Sequence, residues 1–574
     1  MCGIVGISGI QVSYSDFARV LNMQQHRGPD SKGVYKSDDQ LLTIGHNRLS
    51  IIDLSENGNQ PLLSQDGRYV IIFNGEVYNF KDIRKSLETE FKFRTNTDTE
   101  VVLYSYIKYG KSCLDLFLGM FAFVIFDKTT NSCFAARDRF GVKPFHFYSK
   151  GETLIFASEI KSILASGMVE KNWNPSVWAT YFADGRYDDT EDTFYEGVKR
   201  LNPGHYMEWR VGEAPKIFEW YVLLSKITNE VRSEKDVMDE LLFLLESSVN
   251  YRFIADVPVG VCLSGGLDSS LLLAIIQRIK GKDFPIHAFT FYTNDERYDE
   301  LPWVEMMVKQ TGVQLHPCLL KPEEIETLSK KISFHMDEPF GGIPTLGMSK
   351  VFECASNKGI KVLLDGNGLD EGWAGYEYYQ RAHDVNMQKG PVQQSFHQAD
   401  LKSVLDEDFL RLRNDFKVQQ NDPDPIRSLQ LRDILQSKIP RSMRFADRNS
   451  MAFSLELREP FLDHRIIELG LSQPNHYKIN NGQGKWLVRK LASKLLPGEI
   501  RLAPKRGVQT PQREWFKDEL SLWVHQNIEM LLAQNKYSWF KKDESFKMFE
   551  RFQNGDFDNS FFVWQWINFQ LLND

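Results

Sequence analysis

The order of predicted strands and helices changes once, near residue 236, and this change constrains the fold more than any other feature. After it, short apolar strands alternate with helices: VPVGVCL (257–263) precedes SSLLLAIIQRI (269–279), and IHAFTFY (286–292) precedes LPWVEMMVKQTG (301–312). IKVLLDG (360–366) follows as another such strand. Apolar strands that alternate with helices predict a parallel sheet covered by helices on both faces.

The first third of the chain is instead rich in β-strand patterns. Strand-like runs broken by Gly, Asn and Asp turns cover 41–54, 69–79, 121–127 and 132–149, with helical patterns at 80–90 and 99–110. This predicts stacked sheets covered by helices. A hairpin and linker is expected near 200–220, and the polar stretch 390–426 is expected to be an exposed helical insert or loop.

Length, charge and cysteine usage narrow the class of protein. A chain of 574 residues is too long for one hydrophobic core and predicts two or three domains. The net charge of −8 argues against a nucleic-acid partner. Six cysteines with no C-x-x-C indicate neither a disulfide framework nor a zinc site. We find no membrane-spanning run and no secretion signal, so we expect a cytoplasmic protein with reduced thiols and no membrane partner.

The turn SGGLDSS (264–270) joins an apolar strand to an apolar helix and so directs backbone N–H groups at whatever occupies it. Its glycine pair lets a bulky anion approach, and Asp268 suits Mg²⁺ shared with phosphate oxygens. The simpler alternative is a βα turn with a Ser/Asp helix cap. No Walker loop is present; the turn resembles the pyrophosphate loop of enzymes that cleave ATP between its α and β phosphates. The candidate phosphate ligands are Ser264, Gly265, Gly266 and Ser269.

A second turn, DGNGLDE (365–371), follows another strand of the predicted sheet. Ligands bind at the carboxyl ends of parallel strands, so we expect this turn and SGGLDSS to face one cleft. Asp370 is a candidate second carboxylate for Mg²⁺, and Glu371 is another. The alternative is a solvated acidic turn.

Cys2 follows the initiator Met1 directly and has two interpretations. It is either a buried residue of a first strand, or a nucleophile whose α-amino group becomes free when Met1 is removed. The position alone does not choose between them. We expect the other cysteines to be buried core residues: Cys113, Cys133, Cys262, Cys318 and Cys354.

The motifs taken together closely resemble the glutamine-dependent asparagine synthetase family, in the family's order and over nearly the whole chain. They are Cys2, HRGPD (26–30), HNRLSIIDL (46–54), FNGEVYN (73–79), NTDTEV (96–101), RDRFGVKP (137–144), SGGLDSS and DRNSMAFSLELREPFLDHR (447–465). The resemblance implies an N-terminal-nucleophile glutaminase of the class II amidotransferase type, a four-layer αββα sandwich, over 2–210. Over 235–574 it implies an ATP-pyrophosphatase synthetase domain, a doubly wound parallel sheet with extra helices.

The resemblance also implies residue roles. Cys2 would attack the glutamine amide, with its α-amino group as base, and Asn74 and Gly75 would form the oxyanion hole. Arg48 would bind the glutamine α-carboxylate, and Glu76 and Asp98 its ammonium. Ammonia would pass through an apolar channel to an acyl-adenylate formed from ATP. The residues implied at the nucleotide are Leu263, Ser264, Gly265, Gly266, Asp268, Ser269, Asp365 and Gly366, with Asp268 and Asp370 on Mg²⁺.

Lys485, Lys505 and Arg506 are candidate contacts to pyrophosphate or substrate; a solvated basic face is the alternative. The sequence departs from the family at the second turn, where S-G-E-G-x-D-E is usual: Asp365 replaces Ser and Asn367 replaces Glu. Asn367 cannot take up a proton as a carboxylate does, so Glu371 or Asp365 would do that work, or the acceptor differs.

Two acceptors therefore stay open: free aspartate, which is slightly favoured, and the carboxyl of a nucleotide-linked uronic acid, because the variant turn resembles that of homologues linked to surface polysaccharides. A regulatory protein on an inactive synthetase scaffold is a further alternative. A glutaminase joined to a different synthase would lack SGGLDSS. A homodimer is expected by analogy with the family.

Overall fold

The computed structural model describes residues 2–230, 232–382, 398–505, 507–534, 537–556 and 559–573, and the structural statements below concern these residues. The first part of the chain folds into two six-stranded sheets, ordered β10-β8-β9-β1-β3-β2 and β12-β11-β7-β6-β5-β4. The strands are β1 Gly3–Ser8, β2 Ser31–Lys36, β3 Leu42–Arg48, β4 Leu62–Leu63, β5 Tyr69–Val77, β6 Gly119–Asp127, β7 Ser132–Arg137, β8 His146–Lys150, β9 Thr153–Ala157, β10 Val198–Arg200, β11 His205–Arg210 and β12 Lys216–Glu219.

Alternation along β5 shows how these sheets form layers. Val70 and Ile72 pack between the two sheets, whereas Ile71 and Phe73 pack outward against helices. Both faces of the strand are therefore buried. The covering helices are Tyr14–Asn22, Phe80–Leu87, Asp98–Tyr109, Cys113–Leu116, Ile160–Ala165 and Pro175–Asp184. The predicted αββα sandwich is confirmed.

The second part is built on a five-stranded, wholly parallel sheet with the order β15-β14-β13-β16-β17. Its strands are β13 Val259–Cys262, β14 His287–Tyr292, β15 Gln314–Leu319, β16 Val362–Leu364 and β17 Glu456–Arg458. The chain adds strands first on one side of β13 and then on the other, which is the doubly wound topology. The switch between β13 and β16 creates a crevice at their carboxyl ends.

Helices cover both faces of this sheet. Val261 packs with the helix Leu267–Lys280 on one face, and Phe289 packs with Ile343–Asn357 on the other. Further helices of this part are Glu234–Arg252, Leu301–Thr311, Ile325–Met336, Leu369–Gly372, Gln398–Ser403, Glu407–Arg411, Pro425–Arg432, Lys438–Met451, His464–Ser472, Asn475–Lys478, Trp486–Leu491, Gly498–Arg501, Gln512–Lys517, Ser521–Gln534, Lys542–Gln553 and Phe561–Asn573. No helix among the described residues is long and apolar enough to cross a membrane.

Two sequence-based boundaries need correction. The strand predicted over 41–54 ends at Arg48, because the chain then turns to enclose the Arg48 side chain. The hairpin predicted near 200–220 is confirmed as β11 and β12, but it belongs to the first part, since β11 pairs with β7. The connection between the two parts therefore begins after β12.

The polar stretch 390–426 is only partly described, since 390–397 lies outside the described residues. The expectation that it is exposed holds for only part of its helical portion, where Asp408 and Arg411 are largely exposed. Leu401, Val404, Leu405 and Phe409 are buried in a cluster with aromatic side chains of the C-terminal helices. They come from the helices Gln398–Ser403 and Glu407–Arg411 and from the link between them, so no single helical periodicity indicated them among the surrounding polar residues. Of the five cysteines expected in the core, four are buried and Cys354 is partly exposed.

Candidate active site

Cys2 lies just before β1, and its side chain is 8% exposed. It lines a cavity of about 30 Å³ together with Arg48, Gly75, Glu76 and Asp98. The structure therefore brings together residues that are widely separated in the sequence. Burial raises the pKa of the Cys2 thiol, and the positive charge of Arg48 opposes this shift.

Gly75 lines this pocket near the end of β5, and Asn74 lies directly before it. The Cys2 backbone N–H donates to Asn74 Oδ1 at 3.0 Å, while Asn74 Nδ2 is buried with no hydrogen-bond partner among the described residues. A buried donor without an acceptor is costly, so Nδ2 is a ready donor for a ligand oxygen. A Cβ at Gly75 would lie 2.2 Å from the Met120 carbonyl oxygen, which leaves room only for glycine.

Two carboxyl groups close the other side of the pocket. Asp98 Oδ2 accepts from the Val77 N–H at 2.8 Å, and Glu76 forms an ion pair of 3.2 Å with Arg458. Burial raises the pKa of Asp98 to about 7. Burial, and then the neighbouring Asp98, raises the pKa of Glu76. Such a pair is only partly ionised at neutral pH and favours a cationic partner.

Arg48 is held by the segment that follows β3. Its guanidinium donates to the backbone carbonyls of Ser55 at 2.7 Å and Ile52 at 3.3 Å, to that of Asp53, and to Asn59 Oδ1 at 3.0 Å. These bonds fix a positive charge beside the cavity that Cys2 lines, the thiol pocket.

The second site is a cavity of about 410 Å³ at the topological switch between β13 and β16. The two glycine-containing turns touch there, since a Cβ at Gly366 would lie 3.1 Å from the Ser269 nitrogen. The predicted residues that line this cavity are Leu263, Ser264, Gly265, Gly266, Asp268, Ser269, Asp365, Gly366, Asn367, Asp370, Glu371, Lys485 and Lys505. Arg506 lies outside the described residues.

The first turn has a fixed shape. Gly265 has φ of 65°, and a Cβ there would lie 2.7 Å from Trp303 Cβ. Ser269 Oγ accepts from the Ser264 N–H at 3.1 Å and lies 3.1 Å from Ser264 Oγ. The turn therefore places two hydroxyls at the N-terminus of the helix Leu267–Lys280, where anions are favoured.

Asp268 and Asp370 converge on one point in the cavity. Lys485 Nζ lies 2.8 Å from both oxygens of Asp268 and 2.6 Å from Asp370 Oδ1, and Lys505 Nζ bonds Asp370 Oδ2. Burial opposes ionisation of Asp370, but the two lysines outweigh it and lower its pKa. Burial raises the pKa of Asp268 despite Lys485. Lys485 itself has φ of 55°, a strained conformation for a non-glycine residue.

The two positions that depart from the family pattern form a pair. Asn367 Nδ2 donates to Asp365 Oδ2 at 2.8 Å, and the Gly366 N–H donates to Asp365 Oδ1 at 2.7 Å. A carboxylate therefore remains in the turn, two residues earlier, held by the amide. Glu371 lies deeper: it accepts from Tyr376 Oη at 2.7 Å, and burial, then Asp370, raises its pKa to about 7.

Sequence reasoning assigned no role to β17, which connects the two sites. Glu456 at its start lines the thiol pocket, and Leu457 lines the large cavity. Arg458 reaches back to Glu76. All three residues lie in the motif 447–465, so the signal was a charged sequence, ELRE, where a buried parallel strand is normally apolar.

The αββα sandwich carries a buried thiol near an amide donor that has no partner among the described residues. The doubly wound sheet carries a cleft at its topological switch. Together the two sites indicate a glutamine-hydrolysing ligase. Comparison with known proteins agrees. Residues 1–221 match the family described as "Glutamine amidotransferase domain", and residues 240–573 match "Asparagine synthase". The chain belongs to the asparagine synthase family and carries out glutamine-dependent amidation of the asparagine synthetase type.

Two named relatives cover all or nearly all of the chain. Asparagine synthetase (glutamine-hydrolyzing) 1 of Bacillus subtilis (strain 168) is 29% identical, over 100% of this chain and 96% of that protein. Asparagine synthetase (glutamine-hydrolyzing) 3 of the same organism is 28% identical, over 91% and 89%. Amidase chry2 of Gibberella zeae is 32% identical over 63% of this chain and 55% of that protein.

Proposed function

We propose that the chain makes asparagine from aspartate, with glutamine as nitrogen donor and ATP cleaved to AMP and pyrophosphate. The single observation that carries this proposal is that both half-sites are assembled in one chain and share β17. The division of labour would follow the predicted parts, 2–210 and 235–574, with β12 added to the first. Two full-length relatives named asparagine synthetases support the choice of aspartate.

At the thiol pocket, the Cys2 thiolate attacks the side-chain carbonyl carbon of glutamine, and the α-amino group freed by removal of Met1 takes the thiol proton. Asn74 Nδ2 and the Gly75 N–H donate to the oxygen that becomes negative. Arg48 binds the α-carboxylate, and Glu76 and Asp98 the ammonium. Ammonia leaves, and water then hydrolyses the thioester to glutamate.

In the cleft, the turn from Ser264 to Ser269 binds the phosphates of ATP, with Leu263 and Gly366 at the nucleotide. The acceptor carboxylate attacks the α-phosphorus, and pyrophosphate leaves. Lys485 and Lys505 stabilise the charge on pyrophosphate or on the acyl-adenylate. Ammonia then attacks the acyl carbon, the bond to AMP breaks, and Asp365 accepts a proton from the new amide nitrogen.

Asp268 and Asp370 lie close enough to share one cation, which in this structure is the Lys485 ammonium, and such a carboxylate pair fits Mg²⁺, which binds through one or two carboxylates plus phosphate oxygens and water. In the described residues, no group of three or more His, Cys, Asp or Glu side chains is placed to hold a metal by itself. These two carboxylates would therefore hold the ion only together with the nucleotide. When bound, Mg²⁺ neutralises charge on the leaving pyrophosphate.

A second acceptor is kept open by the Asp365–Asn367 pair, which changes the acceptor side of the cleft. That acceptor is the carboxyl of a nucleotide-linked uronic acid. A relative named an amidase, matched over 63% of this chain, is consistent with a change of acceptor.

The test supplies the purified chain with glutamine, ATP and Mg²⁺ and measures AMP and amide product with aspartate or with a nucleotide-linked uronic acid. We expect AMP and asparagine in equal amounts with aspartate. If AMP is released with the uronic acid but not with aspartate, the uronic acid is the acceptor. If AMP is released with neither, the chain is an inactive scaffold. Chelation by EDTA should stop AMP release and leave glutamine hydrolysis intact.

A further inference from the structure

Lys478 is a fully buried lysine that the mechanism above does not use. It is the last residue of the helix Asn475–Lys478, and its Nζ donates to Gln430 Oε1 at 3.0 Å. No carboxylate among the described residues forms an ion pair with it. Burial lowers the pKa of Lys478 to about 7, although the charge of Asp424 opposes that shift. Burying a lysine beside a neutral partner is costly, so the bond to Gln430 is where a role for it should be found.

Gln430 connects Lys478 to the second turn of the cleft. It is fully buried, and its Nε2 donates to the carbonyls of Glu371 and Gly372, each at 2.8 Å. These two residues end the short helix that carries Asp370. The last carbonyls of a helix have no partner within it. The Gln430 amide therefore supplies a partner that the helix cannot supply itself.

The partners of the Gln430 amide allow it one orientation. Backbone carbonyls only accept hydrogen bonds, and a lysine ammonium only donates them. The amide oxygen must therefore face Lys478, and the NH₂ group must face the carbonyls of Glu371 and Gly372. A side-chain amide combines an acceptor with two N–H donors and carries no charge. Glutamine thus fits a role that neither glutamate nor methionine, which are of similar length, could fill.

The second turn depends on these bonds for its position. A helix of four residues, Leu369–Gly372, forms too few internal hydrogen bonds to be stable alone. On its cleft side, Asp370 Oδ1 lies 2.6 Å from Lys485 Nζ, and Lys505 bonds the other oxygen. Away from the cleft, Gln430 holds the backbone of the two residues that follow Asp370. A change at Gln430 would therefore move the Asp370 carboxylate without removing any group that lines the cleft.

We propose that Gln430, oriented by Lys478, positions the second turn so that Asp370 can bind Mg²⁺ together with ATP. Both are positioning residues, because neither lines the cleft. The inference rests on the proposed function, in which Asp268 and Asp370 share the ion with the nucleotide. It assigns a part in that reaction to two side chains that no motif of the sequence indicated.

The test measures the KM for ATP of the full chain, with Mg²⁺ in constant excess over ATP, by following AMP release with aspartate and ammonium chloride. In Gln430→Met we expect this KM to rise at least about fivefold, the worth of one neutral hydrogen bond. The maximal rate should stay within about twofold of the parent chain, because no group that touches the substrates is lost. A variant that merely folds poorly would show the opposite, a lower maximal rate at an unchanged KM.

A double-mutant cycle tests whether Lys478 acts through Gln430. Lys478→Met leaves the Gln430 oxygen buried without a donor, so it should raise the KM for ATP by about two- to fivefold. In the Gln430→Met background it should add nothing further, because the amide that it orients is gone. Effects that multiply would show that Lys478 acts by another route and would overturn its part of the proposal.

Gln430→Glu is a second variant in case Gln430→Met fails to fold. A carboxylate can pair with Lys478, but it puts a negative oxygen where the NH₂ group faced two carbonyls. The second turn must then move away from it, so a larger rise in the KM for ATP is expected than with methionine.

Gln436→Met is the matched control. Gln436 is also buried, and its amide likewise bridges backbone groups: Oε1 accepts from the Gln419 N–H at 2.9 Å, and Nε2 donates to the Lys417 carbonyl at 2.7 Å. These bonds hold the segment 417–419 rather than the second turn. The substitution should lower the melting temperature as Gln430→Met does and leave the KM for ATP unchanged.

The outcomes separate the two proposals. If the parent chain releases no AMP with aspartate, the proposed function fails and the positioning role falls with it. If the parent chain releases AMP and the folded Gln430 variants keep its KM for ATP, only the positioning role is overturned. An equal rise in KM in Gln436→Met would assign the effect to a general loosening of the fold and would also overturn the positioning role.

Discussion

At the scale of single residues, the most informative atoms are buried polar atoms that the chain itself leaves unpaired. Asn74 Nδ2 is one: the Oδ1 of the same amide accepts from the Cys2 N–H, which fixes the amide orientation and leaves the NH₂ group without an acceptor among the described residues. A buried N–H group without an acceptor is rare in folded proteins unless a ligand or a water molecule accepts from it. The unpaired Nδ2 therefore supports a role for Asn74 as hydrogen-bond donor to substrate more directly than the presence of an asparagine in the sequence does.

Asn74→Ala should reduce glutamine hydrolysis by about 100- to 1,000-fold, the usual cost of one oxyanion-hole donor. Synthesis from ammonium chloride should change little, because the cleft is untouched. Glutamate release and amide formation from ammonia are measured on the same preparation. An equal loss of both activities would show that Asn74 only supports the fold.

The pKa of Asp98 predicts how glutamine binding depends on pH. Burial raises this pKa to about 7, so the carboxylate that would hold the substrate ammonium is lost as the pH falls through that value. The KM for glutamine should therefore rise as the pH drops from about 8 to about 6. The KM values for aspartate and ATP, measured with ammonium chloride as nitrogen source, should not follow this change. Asp98→Asn should give a high KM at every pH. A KM for glutamine that is flat across this range in the parent chain would contradict the assignment.

At the scale of elements, the two turns at the carboxyl ends of β13 and β16 are the features that local sequence predicts best. A strand, a glycine pair and an apolar helix leave the turn between them few conformations. The φ of 65° at Gly265 is one that glycine adopts without strain. What local sequence does not encode is the pairing of β17 with β16, because Glu456 and Arg458 read as surface residues. They are buried only because the two parts of the chain dock over them.

Gly265→Ala should abolish ATP-dependent AMP release and leave glutamine hydrolysis intact. The added Cβ would lie 2.7 Å from Trp303 Cβ, and φ of 65° is strained for alanine, so the turn must change shape. Gly281→Ala is the matched control at the other end of the same helix: φ is 94°, but nothing lies within 4 Å of a Cβ there. It carries the backbone strain without the clash and should retain AMP release. Equal effects of both variants would mean that strain, not the shape of the turn, limits activity.

At the scale of the whole molecule, buried charges join the two parts of the chain. Arg27, from the first part, donates to both carboxylate oxygens of Asp447 in the second, at 2.8 and 3.0 Å, and its Nε donates to the Cys2 carbonyl at 3.0 Å. Both side chains are almost fully buried. The interface thus fixes the backbone of the nucleophile, and this dependence could not be predicted from the sequence, because HRGPD and the motif at 447 are 420 residues apart.

Asp447→Asn tests that dependence. It leaves the Arg27 guanidinium buried with one carboxylate partner fewer, and breaking a buried pair from one side typically costs about 3–5 kcal/mol. We expect a clearly lower melting temperature and, below it, weaker glutamine hydrolysis, because an Arg27 held by one carboxylate fewer positions the Cys2 carbonyl less firmly. Asp127→Asn is the control: Asp127 bonds Arg68 with the same two-pronged geometry, at 2.8 and 2.7 Å, but Arg68 is 40% exposed and both residues belong to the first part. Solvent screens that pair, so its loss should shift the melting temperature little and leave hydrolysis unchanged. Equal shifts for the two variants would show that the charges between the parts contribute no more than a surface pair, and that Cys2 is positioned by its own sheet alone.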